Sequence, residues 1–484
     1  MFTSKPAAPG IPHLHTEGDR HLSFLGVVAV AVVIWFIPAP VGVQPRAWQL
    51  LAIFVATIAG IIVKPLPMGA IALIGIASTV LTGTLTINQA LSGFGNGTIW
   101  LVVFVFFISR GFIKTGLGSR IAYLFMAALG KKALGLAYGL IATDLVLAPA
   151  IPSKTARAGG ILYPLVRANA EAFGSDPRDG TAHKIGSFLI QAAFQGDVIT
   201  GAMFLTAMAA NPLATKLASE MHIEVSWGLW AIAALVPGIV SLVLIPLILY
   251  KLYPPEIKQT PGATQLAKSK LAEMGRVQFQ EWIMLGVFLL LLFLLIFGEQ
   301  LGHLDSTTTA LVGLSVLLVT GVLTWKDILE EKNAWDTLVW FAALVMMATF
   351  LNELGLIPWL TKTIQGAVGG VNWTISFPVL CLVYFYSHYL FASQTAHVSS
   401  MYGAFLAVSV AVGTPPILAA LALGFASNLF SSLTHYGSGP APVLFGSGYV
   451  DLRAWWMLGA LISLINIAIW VIVGGLWWKF LGLW

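Results

Sequence analysis

Two polar strings, Ser153-Lys154-Thr155-Ala156 and Ser393-Gln394-Thr395-Ala396, break otherwise apolar stretches in the two halves of the chain, 240 positions apart (153 to 393). Non-helical backbone surrounded by apolar sequence is tolerated only where protein buries it or it lines an aqueous cavity. A chain that repeats one hydroxyl-rich interruption is expected to be a duplicated transporter, with its site where the interruptions meet.

The solvent for such a chain must be a bilayer. With 58% hydrophobic and 9% charged residues, 484 residues could not supply the polar surface that water requires. Segments 22–37, 47–63, 97–109, 185–210, 227–250, 281–297, 306–323, 336–351 and 454–478 are long or apolar enough to cross, or nearly cross, about 30 Å of hydrocarbon as helices. Strand-period alternation is absent, so an all-α polytopic membrane protein is expected and a β-barrel is not. Residues 1–21 are polar and lead into an apolar run without a cleavage pattern, which predicts a disordered tail and a retained first helix. The single cysteine, Cys381, excludes an internal disulfide and a cysteine metal cluster. The net charge of +5 sits in loops between spans, so topology explains it better than nucleic acid does.

Placing the N-terminus in the cytoplasm leaves Arg46, Lys216, Lys362 and Lys479 outside. Lys114, Arg120, Lys131, Lys132, Arg167, Lys251, Lys258, Lys268, Lys270 and Arg276 then lie inside, the bias expected of cytoplasmic loops. The expected division is a disordered cytoplasmic tail over 1–21, N-terminal scaffold helices over 22–95, and a first repeat over 96–250 with a hairpin near 133–166. A cytoplasmic linker over 251–280, with Pro254-Pro255 and Pro261-Gly262, precedes a second repeat over 281–480 with a hairpin near 373–410. Thr115-Gly116-Leu117 aligns with Leu354-Gly355-Leu356 at nearly the spacing of the serine strings, which supports duplication, and span parity makes the copies inverted.

Both interruptions read as tips of re-entrant hairpins, because Pro149, Pro152, Gly159 and Gly160 break the helix and the arms are too short to span. Amides at helix starts attract anions, so two facing tips would make an anion site. A second pair of interruptions is expected to complete it. Gln195-Gly196-Asp197 interrupts 185–210, and Ser427-Asn428 with Ser431-Ser432 and Thr434 through Gly437-Ser438-Gly439-Pro440 interrupts the span from Pro416. The candidate binding residues are Ser153, Lys154, Thr155, Gly196, Asp197, Ser393, Gln394, Thr395, Ser427, Asn428, Thr434, Gly437, Ser438, Gly439 and Pro440. Arg157, Asp144 and His397 are candidate carboxylate or charge partners, and His388 and His435 lie nearby in sequence.

The strings Pro152-Ser153-Lys154-Thr155-Ala156-Arg157-Ala158-Gly159-Gly160-Ile161 and Ser393-Gln394-Thr395-Ala396, with Ser427-Asn428 to Pro440 and Thr206 to Pro212, resemble the divalent anion:sodium symporter family over roughly residues 22–480. The likeness is to its exchanger branch, which includes bacterial citrate/succinate and tartrate/succinate antiporters and plastid 2-oxoglutarate/malate translocators. The resemblance implies a homodimer in the cell's inner (plasma) membrane with about eleven spans and two re-entrant hairpins. It also implies a scaffold domain and an elevator-like transport domain, binding malate, succinate, 2-oxoglutarate, tartrate or citrate. Hairpin motifs of the family are commonly Ser-Asn-Thr, with carboxylate contacts and, in symporters, sodium sites; Lys154 and Gln394 depart from it, and Asp197 stands where exchanger relatives often have an amide.

A lysine at a hairpin tip costs about 2.5–3.5 kcal/mol on insertion scales, so it is expected to pair or to serve function. Lys154 is expected to supply the charge that sodium provides elsewhere, with Asp197 as its partner without substrate, giving sodium-independent dicarboxylate antiport with no cofactor. Asp144 could instead pair with Lys154 or Arg157. Sodium-coupled symport is the alternative, and Ser153-Lys154 as a hydrolytic dyad is a remote one. A channel is disfavoured by closed tips, and no phosphate-binding loop for a nucleotide-driven pump is present.

Overall fold

The computed structural model describes residues 17–302, 304–368 and 372–484. The tail expected over 1–21 falls mostly on 1–16, outside the described residues; from Glu17 the chain is already helical, Glu17–Phe36. Among the described residues every regular element is helical, apart from one isolated bridge between Lys132 and Gln259. Six helices among the described residues are long and apolar enough to cross a membrane: Pro45–Val63, Gly97–Thr115, Trp227–Leu252, Phe279–Gly298, Lys332–Glu353 and Leu452–Phe480. Shorter apolar helices, among them Leu22–Phe36, Met68–Leu81 and Ser306–Val319, fill the gaps between them. Leu289, Phe293, Ile296, Val471, Ile472 and Leu476 are exposed, as lipid-facing side chains must be.

The order of elements repeats. Met68–Leu81 corresponds to Ser306–Val319, and each is followed by a capping box, Thr86 with Gln89 and Thr324 with Asp327. Ala133–Leu147 corresponds to Trp373–Tyr386 as the incoming hairpin arm. At the tips Lys154–Arg157 and the π turn Ala158–Leu162 recur as Gln394–His397 and Val398–Tyr402, with the 240-residue spacing kept through the π turn. The repetition therefore reaches back into the helices before residue 96, which the sequence suggested were a separate scaffold. Their apolar sequences had diverged beyond recognition while their helix lengths and caps had not. Gly116 and Gly355 hold the same place, φ 76° and 85°, and turn a span into the helices Leu117–Leu129 and Leu356–Val368 that precede each hairpin.

The hairpins enter from opposite ends. The first begins beside the linker, where Thr260 N donates to Lys131 O at 2.8 Å and Ala133 N to Lys258 O at 3.0 Å. The second follows a helix whose Trp359 Nε1 donates to Val41 O at 3.1 Å, next to a span whose end meets Glu220 through Asn352 Nδ2 at 2.7 Å. Trp227–Leu252, about 39 Å of helix at 1.5 Å per residue, separates the Glu220 end from the linker. The linker is more than a spacer: Pro261–Met274 is helical, and Arg120 binds Gly275 O at 3.0 Å and Glu281 at 2.6 Å in a buried ion pair.

Gln195-Gly196-Asp197 does not interrupt its helix, contrary to expectation. Gly186–Met203 runs unbroken and every residue in it is buried. The break falls later, where Phe204 turns extended before Leu205–Ala207 and Ala210–Ser219. Gly196 is there for packing, since a Cβ on it would lie 2.6 Å from Ile141 Cγ1 on the incoming arm of the first hairpin. We expect Gly196→Val to lower the melting temperature of the purified protein, at an overpacking cost of about 1–3 kcal/mol. Gly286→Ala, which meets nothing within 4 Å, should leave that melting curve in place.

Candidate functional site

Each tip is shaped by a serine cap. Ser153 Oγ accepts from Ala156 N at 3.1 Å, and Ser393 Oγ accepts from Ala396 N at 3.4 Å. Accepting in this way leaves each hydroxyl hydrogen available for an incoming acceptor. Thr155 is exposed, as are Gly160, Gly439 and Pro442, along the line where the returning arm faces the short helix Pro440–Phe445. Gly439 sits hard against Thr155 Oγ1, which is why a side chain is not tolerated there. Thr395, at the other tip, is half-buried.

Behind the first tip lie two positive and two negative side chains, none more than 4% exposed: Asp144, Lys154, Arg157 and Asp197. Arg157 is the centre of this group. Its Nε binds Asp144 Oδ1 at 2.7 Å and its Nη2 binds Asp197 Oδ1 at 3.1 Å. Its Nη1 donates to Ile151 O at 2.6 Å and Ala207 O at 2.8 Å. The guanidinium thus ties the hairpin arm, the loop before the tip, the helix Gly186–Met203 and the break that follows it. Four of the five N–H groups of Arg157 are committed and the side chain is fully buried, so it is not a free carboxylate fork. Asp144 belongs to Arg157, with its second oxygen taken by Thr200 Oγ1.

Lys154 has the looser arrangement. Its Nζ lies 3.8 Å from Asp197 Oδ2, beyond hydrogen-bond length, and donates to Ser431 Oγ at 3.3 Å. Its methylenes cross Gly201, where a Cβ would lie 3.1 Å from Cδ and Cε. The amine therefore points at Ser431 and Asp197, which removes the geometric basis for a Ser153-Lys154 dyad.

The second tip repeats this group without charge. At the positions corresponding to Asp144, Lys154 and Arg157 stand Tyr384, Gln394 and His397. Gln394 Nε2 donates to Ser427 O at 3.1 Å, and the Tyr384 hydroxyl meets Ser427 Oγ at 2.8 Å. Asn428 Nδ2 donates to Asn211 Oδ1 at 2.7 Å, and Asn211 Nδ2 donates to Gly201 O at 2.9 Å, which joins the two broken helices. Tyr384 and Asn211 were not singled out from sequence as site residues. The 240-residue spacing carried back to Asp144 points to Tyr384, and Asn211 lies within the Thr206 to Pro212 string that carries part of the family resemblance.

Between the tips several buried polar atoms have no hydrogen-bond partner among the described residues: Asp197 Oδ2, Asn428 Oδ1, Thr434 Oγ1 and Ser438 Oγ. None of the backbone amides from Thr434 to Gly439 donates to another described residue. Each such group costs about 1–3 kcal/mol when dry, so the place is built for a polar occupant. With the Lys154 ammonium beside them, the free hydroxyls and amides suit an anion. Among the described residues no group of three or more His, Cys, Asp or Glu could hold a metal ion.

The chain is similar to known proteins over nearly its whole length. A family model described as the sodium:sulfate symporter transmembrane region matches residues 18–484. The putative malate transporter YflS of Bacillus subtilis (strain 168) is 60% identical, over 94% of this chain and 96% of its own. The chloroplastic dicarboxylate transporter 1 of Spinacia oleracea is 54% identical, over 97% of this chain and 83% of its own. The solved structure of the Alcanivorax borkumensis YdaH transporter superposes with a TM-score of 0.57 at 13% identity, over 96% of this chain and 98% of that one, and shows the fold alone.

Arg157→Gln should leave Asp144 and Asp197 buried without their cation, a loss of about 3–5 kcal/mol. The expected result is a protein that melts far below the parent or fails to enter the membrane fraction. Arg157→Gln combined with Asp144→Asn, which removes one charge of each sign, should recover part of the melting temperature.

Proposed function

As a member of the family defined by the sodium:sulfate symporter transmembrane region, the divalent anion:sodium symporters, the chain is a membrane transporter, and we propose that it exchanges dicarboxylates without sodium. The names of its relatives, a malate transporter and a plastid dicarboxylate transporter, support that substrate class. The observation that carries the exchange reading is Lys154, a fixed cation at the first tip with one 3.3 Å hydrogen bond and a carboxylate 3.8 Å away.

A substrate carboxylate reaching Lys154 forms a charge-assisted bond and gives up only a stretched pair. Its other oxygens take the Ser153 and Ser393 hydroxyls and the amides of the turn at Gly437 to Gly439. Without substrate those groups keep water, and enclosing the site means stripping it from an ammonium and several donors. That cost holds the empty carrier on one side, so turnover requires a carboxylate in each direction. A sodium ion could leave the site, but the amine cannot, and this separates exchange from sodium-coupled symport.

The same reading takes the two halves as inverted repeats around a midplane site, with an elevator-like transport domain, about eleven spans and a homodimeric assembly, all supported by the family resemblance. Lys131, Lys132, Lys251, Lys258, Lys268 and Lys270 on the linker face support a cytoplasmic N-terminus and linker. Ser153, Lys154, Thr155, Ser393, Gln394, Thr395, Asn428, Thr434 and Ser438 are the proposed binding residues. Asp197 is the acid that Lys154 faces when the site is empty.

Reconstituted in liposomes, the protein should take up labelled malate or succinate only when dicarboxylate is inside, equally in sodium and in choline. Uptake without internal dicarboxylate, or an absolute need for sodium, would falsify the proposal. Lys154→Gln, which gives the first tip the residue of the second, should lower exchange at least tenfold, the scale of one lost charged hydrogen bond of about 1.5–3 kcal/mol, with the melting temperature largely kept.

A further inference from the structure

Two buried imidazoles that exchange through Lys154 does not itself require stand behind the turn at Gly437. His388 lies in the 3-10 turn that ends the incoming arm of the second hairpin, and His397 ends the tip helix; neither is exposed to solvent. Their Nδ1 atoms are 3.0 Å apart, and His388 Nε2 lies 2.8 Å from Gly437 O. His388 stacks on Phe430 at 3.8 Å, and His397 is held between Phe391 and Phe430, each at 4.5 Å.

These contacts fix where the hydrogens are. A carbonyl oxygen only accepts, so His388 Nε2 carries the hydrogen. Among the described residues the groups facing the pair are Tyr384, Ser387, which Met401 Sδ also meets, and, farther off, Lys154, with no carboxylate to balance an imidazolium. His388 is therefore neutral with a lone pair on Nδ1, His397 Nδ1–H points at that lone pair, and His397 Nε2 accepts at 3.2 Å from the Ser387 hydroxyl, whose one hydrogen reaches either this nitrogen or Tyr384 O at 2.8 Å.

The peptide plane transmits this to the site. In a trans peptide the carbonyl of Gly437 and the N–H of Ser438 point in opposite directions, so pinning the carbonyl on His388 turns the amide away from it. That amide makes no bond to another described residue, and the Ser438 and Thr434 hydroxyls beside it are buried without partners. A Cβ on Gly437 would lie 2.8 Å from His388 Nε2, so the turn is pressed against the ring.

We propose that His388 is a positioning residue for substrate, held by His397 in the Nε2–H form so that the Ser438 amide is aimed at a substrate carboxylate. This rests on the carboxylate site proposed above. The test is succinate exchange by the full chain in proteoliposomes, with melting temperatures measured alongside. His388→Ala should raise KM for external succinate about tenfold while kcat changes little, the loss expected for one aimed hydrogen bond to a charge. His388→Gln, whose amide nitrogen replaces Nε2–H, should restore most of that loss. His397→Asn, which keeps a donor at the place of Nδ1, should hold KM near the parent value, whereas His397→Gln should raise it.

A folded His388→Ala with unchanged KM, or Gln and Ala variants equally impaired, overturns the proposal. Should His388→Ala not fold, the His397 pair decides it, and equal KM values there count against it. Nitrogen-15 NMR of labelled histidines gives a readout independent of transport, with His388 expected as Nε2–H and His397 as Nδ1–H. The opposite tautomers overturn the positioning role even in a protein that exchanges succinate. A parent protein that exchanges no dicarboxylate at all, yet shows these tautomers, counts against the transport reading instead.

Discussion

Arg157 is the interaction on which the rest of the site depends. A guanidinium with no solvent exposure exists in a membrane protein only when its charge and its N–H groups are matched nearby. Asp144 and Asp197 match the charge, and the carbonyls of Ile151 and Ala207 take both Nη1 hydrogens. Those partners come from four places: the incoming arm, the loop before the tip, the following helix and the break after it. One side chain thereby sets the depth of the first tip and leaves Lys154 as the cation with bonds to spare.

The second tip reaches the same shape by different chemistry. Tyr384, Gln394, His397 and Ser427 use neutral hydrogen bonds and stacked rings where the first tip uses ion pairs. The duplicated backbone, with serine cap, short helix and π turn, is common to both. Only the first half therefore brings a cation within reach of the site, Lys154, and the second brings amide and hydroxyl donors. On the proposed function, one end of a diacid would meet an ammonium and the other would meet neutral donors.

Much of this was legible in the chain. The hairpins, the break between Ser431 and Pro440 and the 240-residue spacing all came from residue types at matching positions, whereas the chain left Asp197 and Asp144 open as partners of Lys154. The misplaced interruption at Gln195-Gly196-Asp197 has a simple cause: a glycine between polar residues looks the same whether it breaks a helix or lets one pack closely. Gly196 does the second, against Ile141. For Arg157 the chain left substrate binding and a structural role open, with Asp144 as one candidate partner, since its four partners lie 6 to 50 positions away and no local pattern reports that they converge. The early part of the repeat escaped notice because lipid-facing sequence is constrained in hydropathy rather than in identity.

What the sequence determined by itself was the solvent, the duplication and the chemistry available at each tip, because hydropathy and residue type are properties of the chain. What only the tertiary structure decided was which charge is bound and which is free. That depends on distances of a few tenths of an ångström between Arg157, Lys154 and two carboxylates brought together from residues 144 to 197. The same holds for the tautomers of His388 and His397, which follow from a carbonyl at Gly437 that sequence places 49 residues from the ring it fixes.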